Sequence, residues 1–226
     1  MSIAGNLQMV RQRMDQAARA AGRDPQGVRL VAVSKLHPAT EVVQALAAGQ
    51  ILFGENYVQE AQAKMAAVGP GAQWHFIGHL QGNKARVAAE LFHMVETLHG
   101  LKLAQALDRH CQELGRRLPV LVQVNLGGEA QKSGCPPAEA PALCQAVAGL
   151  PGLELKGLMT MPPFFDDPEQ SRPIFAGLRR LAQGLAPDLP PGSMDELSMG
   201  MSGDFQAAIY EGSTLVRVGT AIFGQR

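Results

Sequence analysis

An eightfold alternation constrains this chain more than any other feature. Short apolar runs rich in Val, Ile and Leu recur along its 226 residues, separated by stretches of helical character. The runs that read as strands are 29–34, 51–53, 74–77, 94–96, 120–125, 155–160, 196–199 and 215–218. Helices are expected at 39–48, 58–68, 84–91, 101–117, 137–148, 170–185 and 203–211. An opening helix is expected over 3–21, where Leu7, Val10 and Met14 recur at helical spacing and Gly22 supplies a stop.

Seven helical crossovers between eight strands match an α/β fold, a closed parallel TIM barrel of eight strands. An open doubly wound sheet is the alternative, but the even spacing and the lack of an early Gly-rich fingerprint favour the barrel. Parity points the same way. In the fifth strand Val120, Val122 and Val124 share one face, and Leu121, Gln123 and Asn125 share the other. In the last strand Val216 and Val218 oppose Arg217 and Gly219. Apolar outer faces suit helices, while polar groups suit a lumen near its mouth. Segment 221–226 would supply little helix, so the opening helix is expected to help close the ring. The Pro-rich stretches 161–168 and 187–192 read as long barrel loops, which leaves 1–226 as a single domain.

Composition excludes several classes of partner. There are 20 basic and 20 acidic residues, and the formal net charge is zero. Phosphate backbones and anionic membranes are gripped by clustered excess Lys and Arg, so neither is expected as a partner. A small anion held by a few local donors stays open. Cys111, Cys135 and Cys144 form no C-x-x-C pair and are odd in number, which argues for reduced thiols in a cytoplasmic protein. No metal site is expected. No apolar run is long enough to span a bilayer, and the start lacks a signal-peptide layout.

In a TIM barrel the functional face is built from residues just after each strand. Here those positions hold Lys35, Glu55, Asn56, His79, Thr97, Asn125, Met159, Met161, Ser202, Arg217, Gly219 and Thr220. Lys35 ends the first strand with its stem against the barrel wall. A desolvated lysine sheds its proton more readily and attacks carbonyl carbons. After the last strand, Gly219 permits close backbone approach and Thr220 offers an N–H and a hydroxyl. After the seventh, Ser202 is expected as a helix N-cap. Together these make a phosphate cup at strands seven and eight, with Asp204 an objection unless it turns to solvent. Strand eight closes against strand one, so the cup and Lys35 are neighbours. A phosphorylated aldehyde fits both: pyridoxal phosphate, or a sugar phosphate in a lysine-dependent aldolase. Arg217 shares a strand face with Gly219 and could donate to a pyridine nitrogen, or serve in a structural salt bridge. An arginine stays protonated, so it would leave that nitrogen acceptor-only and the ring a poorer electron sink.

Seven motifs in order carry a family resemblance. They are Val31-Ala32-Val33-Ser34-Lys35, Phe53-Gly54-Glu55-Asn56, Trp74-His75-Phe76-Ile77-Gly78-His79, Gln123-Val124-Asn125 with Lys132-Ser133-Gly134, Gly157-Leu158-Met159-Thr160-Met161, Leu197-Ser198-Met199-Gly200-Met201-Ser202, and Val216-Arg217-Val218-Gly219-Thr220. On these the chain resembles the pyridoxal phosphate homeostasis proteins, the YggS-like family with a barrel of the alanine racemase N-terminal type. The resemblance implies pyridoxal phosphate as cofactor and Lys35 as its Schiff-base lysine. It implies that Ser202, Gly219 and Thr220 hold the phosphate and that Arg217 faces the pyridine nitrogen. Asn56 is implied as a polar contact, and Met159 and Met201 as pocket walls. His79 reads as a satisfied strand-end histidine. The helix entry Ser202-Gly203-Asp204-Phe205 is less acidic at its centre than the family pattern, which touches capping and not the lysine.

Alanine racemase adds a β-rich domain that supplies an opposing tyrosine base. This chain ends at Arg226, and its tyrosines are Tyr57 and Tyr210, with Tyr210 badly placed for the mouth. The expectation is a monomeric carrier that buffers the cofactor and passes it to apo-enzymes, without robust catalysis of its own. A racemase or related enzyme of unidentified substrate is the alternative. The loop 127–131 before Lys132 has no assigned role.

Overall fold

The computed structural model describes residues 2–128 and 133–225. Eight parallel strands close into a barrel in chain order. They are β1 (Arg29–Val33), β2 (Leu52–Glu55), β3 (Gln73–Phe76), β4 (Met94–Leu98), β5 (Leu118–Gln123), β6 (Leu153–Met159), β7 (Glu196–Ser198) and β8 (Leu215–Val218). Around them run α1 (Ile3–Ala20), α2 (Ala39–Ala47), α3 (Val58–Val68), α4 (Ala85–Leu91), α5 (Leu101–Glu113), α6 (Ala140–Ala148), α7 (Arg172–Leu185), α8 (Phe205–Tyr210) and α9 (Thr220–Phe223). All eight expected strands are present, most with ends moved by one or two residues. No described helix is long and apolar enough to cross a membrane.

The strands feed two separate cores. Val120, Val122, Val124, Val216 and Val218 face outward into the large cluster beneath the helices. Val31, Leu52, Met94, Leu121, Met159 and Leu215 form a second cluster inside the barrel. The lumen is therefore packed, as side-chain layers require in so small a barrel. This is the inside–outside division that strand parity predicts.

Helix ends depart from expectation where local chemistry intervenes. The fifth helix stops at Glu113 because Gly115 takes a left-handed turn, with φ of 62°. The expected extension to 117 instead holds Arg116, whose guanidinium donates to the carbonyls of Ala89 and Phe92. The sixth helix begins at Ala140, not 137, because Pro136 and Pro137 precede it.

The opening helix closes the outer ring. Leu7, Val10, Met14, Ala17 and Ala18 are buried along one stripe of α1, which packs on α8 and α9. Asn6 Nδ2 donates to the Ile222 carbonyl at 2.7 Å, which ties α1 to the turn after β8. Leu7 is fully buried. Leu7→Ala should cost about 2–5 kcal/mol in urea unfolding; a loss under about 1 kcal/mol would mean that α1 is an appendage.

Candidate functional site

The pairing of β8 with β1 sets the site. Val31 lies opposite Arg217 and Ala32 opposite Val218. This brings the loops after the two strands side by side at the C-terminal mouth. A cavity of about 310 Å³ opens there. It is lined by Lys35, Asn56, Ser202, Arg217, Gly219 and Thr220, six of the seven residues expected to bind a cofactor. The seventh, Met159, is fully buried in the inner cluster. β6 ends at Met159 with its side chain in the lumen, and Met161, two residues on, reaches the cavity instead. Met201 is in the lining, as expected.

The cup is built differently from the sequence expectation. Ser202 is not an N-cap: α8 starts at Phe205, and Asp204 precedes it. Ser202 Oγ instead accepts from the N–H of Gly219 at 3.3 Å and of Ala221 at 3.5 Å, which joins the two loops. Asp204 does not turn to solvent. Its Oδ1 accepts from Met201 N at 2.6 Å, and its Oδ2 from Ser171 Oγ at 3.2 Å. A Cβ on Gly219 would meet the Val33 carbonyl at 3.1 Å, so glycine keeps this backbone close to β1.

The turn that carries Lys35 is braced from below. Leu36 has φ of 64°, the only positive φ of a non-glycine residue among the described residues. Its N–H donates to Glu60 Oε1 at 2.5 Å. Lys64 Nζ then donates to Glu60 Oε1 and Glu55 Oε1, each at 2.7 Å, and to the Ser34 carbonyl at 2.5 Å. Ser34 Oγ donates to Glu55 Oε1 at 2.6 Å. Glu55 was read as a mouth residue; it turns instead to α3 and is fully buried. Burial raises its carboxyl pKa, and bonds from Lys64 and Ser34 oppose the rise. This network holds a costly left-handed residue next to Lys35.

A second polar group lies in the lumen. Arg217 Nη1 donates to Ser198 Oγ and Nη2 to the Thr160 carbonyl, at 2.5 and 3.0 Å. Glu96, buried between His75 and Ser198, is the carboxylate on this line. Burial pushes Glu96 up, but the His75 bond, the charges of His75 and Arg217, and the Ser198 bond outweigh it and hold the carboxyl below its usual range. Asn56 Oδ1 is buried in the lining without a hydrogen-bond partner, which leaves an acceptor for a donor-bearing ligand.

His79 is exposed and outside the cavity. Its ring stacks on His99 at 4.8 Å, and its Nδ1 meets Ser133 Oγ at 3.0 Å. Lys84 ends a short 3-10 turn away from the lining. Lys132 and residues 129–131 lie outside the described residues. No group of three or more His, Cys, Asp or Glu among the described residues could hold a metal. Sequence reasoning missed Glu60, Lys64, His75, Glu96 and Ser198. One signal was present: Glu96 has the inward parity of Met94 and is the one charged residue of its strand, and charges are seldom buried unpaired.

Fold and cavity define a TIM barrel with a lysine, an arginine and a neutral donor cup at one mouth. The alanine racemase N-terminal domain profile matches residues 5–226. The pyridoxal phosphate homeostasis protein of Pseudomonas aeruginosa is 49% identical over 226 residues, covering 100% of this chain and 96% of that one. The solved structure of PipY from Synechococcus elongatus with PLP bound is 38% identical, with a TM-score of 0.87, covering 99% of this chain and 100% of that one. Alanine racemase from Clostridium difficile, at 16% identity and a TM-score of 0.75, covers 100% of this chain and 57% of that one, and shares the fold. The chain belongs to the alanine racemase N-terminal domain family and, within it, to the pyridoxal phosphate homeostasis proteins.

Two outcomes follow from the buried charges. Lys64→Met strands Glu55 without its cation and should cost about 3–5 kcal/mol in chemical unfolding; a loss below about 1 kcal/mol would remove the bracing role. Glu96 has a folded pKa below its unfolded one, so its stabilisation is present above the unfolded value of about 4.3 and fades as pH falls through the folded value. Melting temperature should therefore drop on acidification below about pH 4 in the wild type, and less steeply in Glu96→Gln.

Proposed function

We propose that this chain binds pyridoxal phosphate through a Schiff base on Lys35 and takes part in intracellular vitamin B6 homeostasis by holding and delivering the cofactor. The observation that carries this reading is the meeting of Lys35, Arg217 and the Ser202–Gly219–Thr220 cup in one cavity of about 310 Å³. The PLP-bound PipY relative, similar over nearly its whole length, supports the choice of cofactor.

The residues present fit the group. Ser202, Gly219 and Thr220 would take the phosphate with neutral donors, Arg217 would face the pyridine nitrogen, and Asn56 Oδ1 offers its unsatisfied acceptor. The bound group would supply an aldehyde. Lys35 would hold it through its amine, with the carbonyl oxygen leaving as water. Water or an incoming amine reverses the step, which suits loading and release. Burial lowers the Arg217 pKa and the Glu96 and Asp204 charges oppose that; as a guanidinium it would leave the ring nitrogen acceptor-only and the ring a weaker electron sink.

Carriage without robust turnover is supported by the lining itself. Among the described residues that line it there is no histidine or tyrosine, and the carboxylate there, Asp204, is engaged by Met201 N and Ser171. A proton-transfer mechanism across the ring needs a second positioned base. On this reading the protein is a cytoplasmic monomer whose partners are the cofactor and apo-forms of pyridoxal phosphate enzymes.

Borohydride reduction of the cofactor-loaded protein, followed by peptide mass spectrometry, should place a pyridoxyl adduct on Lys35. Lys35→Ala should lose the adduct and the yellow absorbance while its circular dichroism is unchanged. Full loading of that variant, with the adduct on Lys84 or Lys132, would refute the assignment. Racemisation or decarboxylation of single amino acids well above the rate of free cofactor would favour an enzyme over a carrier.

A further inference from the structure

Four polar side chains form one unbroken line across the barrel lumen, from β3 to β8. His75 Nδ1 donates to Glu96 Oε1 at 2.6 Å. Ser198 Oγ donates to Glu96 Oε2 and accepts from Arg217 Nη1, both at 2.5 Å. All four side chains are buried: Glu96 and Ser198 are 0% exposed, Arg217 3% and His75 4%. A guanidinium this deep is tolerated when a carboxylate balances it and its donors are used. The carboxylate here reaches it through a hydroxyl. The cavity is lined by Arg217 but not by His75, Glu96 or Ser198. Glu96 therefore acts on the cavity through Arg217.

We propose that Glu96 is a positioning residue: with His75 and Ser198 it sets the direction of the Arg217 guanidinium and offsets its charge beneath the bound cofactor. This rests on the cofactor reading given above. The Thr160 carbonyl holds a second edge of the guanidinium at 3.0 Å, so its remaining donors are aimed rather than mobile. The other charged groups around this line are Asp204, before α8, and Lys35, after β1, both in the cavity lining. His93, just before β4, accepts from the Trp74 N–H, and burial first, then the His75 charge, lower its pKa.

The sign of the effect is fixed by electrostatics. The nitrogen that joins Lys35 to the cofactor carries a positive charge when protonated. Glu96→Gln keeps the shape of the side chain and removes its charge, so Arg217 is left uncompensated. A more positive lumen disfavours the protonated nitrogen. The pH midpoint of the bound cofactor's absorption change should fall by about one unit, roughly a tenfold loss of proton affinity. Glu96→Asp keeps the charge and should hold its midpoint within about 0.3 units of the wild type, even if it melts earlier. A purely structural role would lower the melting temperature of both variants without separating their midpoints.

The test is a pH titration of absorbance on cofactor-loaded wild type, Glu96→Gln and Glu96→Asp, with borohydride trapping to confirm that Lys35 is loaded. A fall confined to Glu96→Gln supports the proposal. A Glu96→Gln protein loaded on Lys35 with an unmoved midpoint overturns it, as does an equal fall in both variants. If Glu96→Gln does not fold, Ser198→Ala removes only the bridging hydroxyl. That variant should bind the cofactor about tenfold more weakly, the cost of one lost charge-assisted bond, and unchanged affinity overturns the proposal. Wild-type protein that takes no cofactor on Lys35 sinks the earlier reading, and this one with it.

Discussion

Pairing of the last strand with the first is the constraint on which the rest depends. The register of Val31 with Arg217 and Ala32 with Val218 places Lys35 beside the Gly219–Thr220 turn. Residues nearly two hundred positions apart thereby share one cavity. A parallel pair needs a covered outer face, and here α1 supplies part of that cover, anchored by Asn6 on the Ile222 carbonyl. The opening helix and the segment after β8 are mechanically one region.

Two buried charge networks flank the cavity, and they work on different parts of it. Outside the barrel wall, Glu55, Glu60 and Lys64 hold the Leu36 turn and with it the backbone that presents Lys35. Inside the lumen, His75, Glu96 and Ser198 hold Arg217. Each charge is taken from water at a cost that only good partners offset. The first braces the turn after β1; the second lies among the inner cluster, with His75, Ser198 and Arg217 paired in register with Met94, Leu215 and Val31.

Much of the fold could be read from periodicity. Each of the eight strands was visible as an apolar run, and alternation in β5 and β8 correctly separated the two cores. Six of the seven residues expected to bind a cofactor do line the cavity. The failures share a cause. Met159, implied by the resemblance as a pocket wall, ends β6 with its side chain in the lumen, and Met161 reaches the cavity instead. Local spacing suggests a cap at Ser202, whereas its hydroxyl reaches across to the β8 turn. Glu96 and Ser198 are 102 residues apart, so nothing in their neighbourhoods announces the pair.

The sequence by itself determined the barrel, the inward and outward faces, and the arrival of Lys35 and Arg217 at one end. These depend on local repeats of two and of about 3.6 residues, which any stretch of chain displays. The tertiary structure alone decided which carboxylate balances which cation, that Ser202 accepts where a cap was expected, and that Leu36 is held in a left-handed turn beside Lys35. Those outcomes are set by hydrogen bonds of 2.5 to 3.3 Å between distant segments, and such distances exist only once the ring has closed.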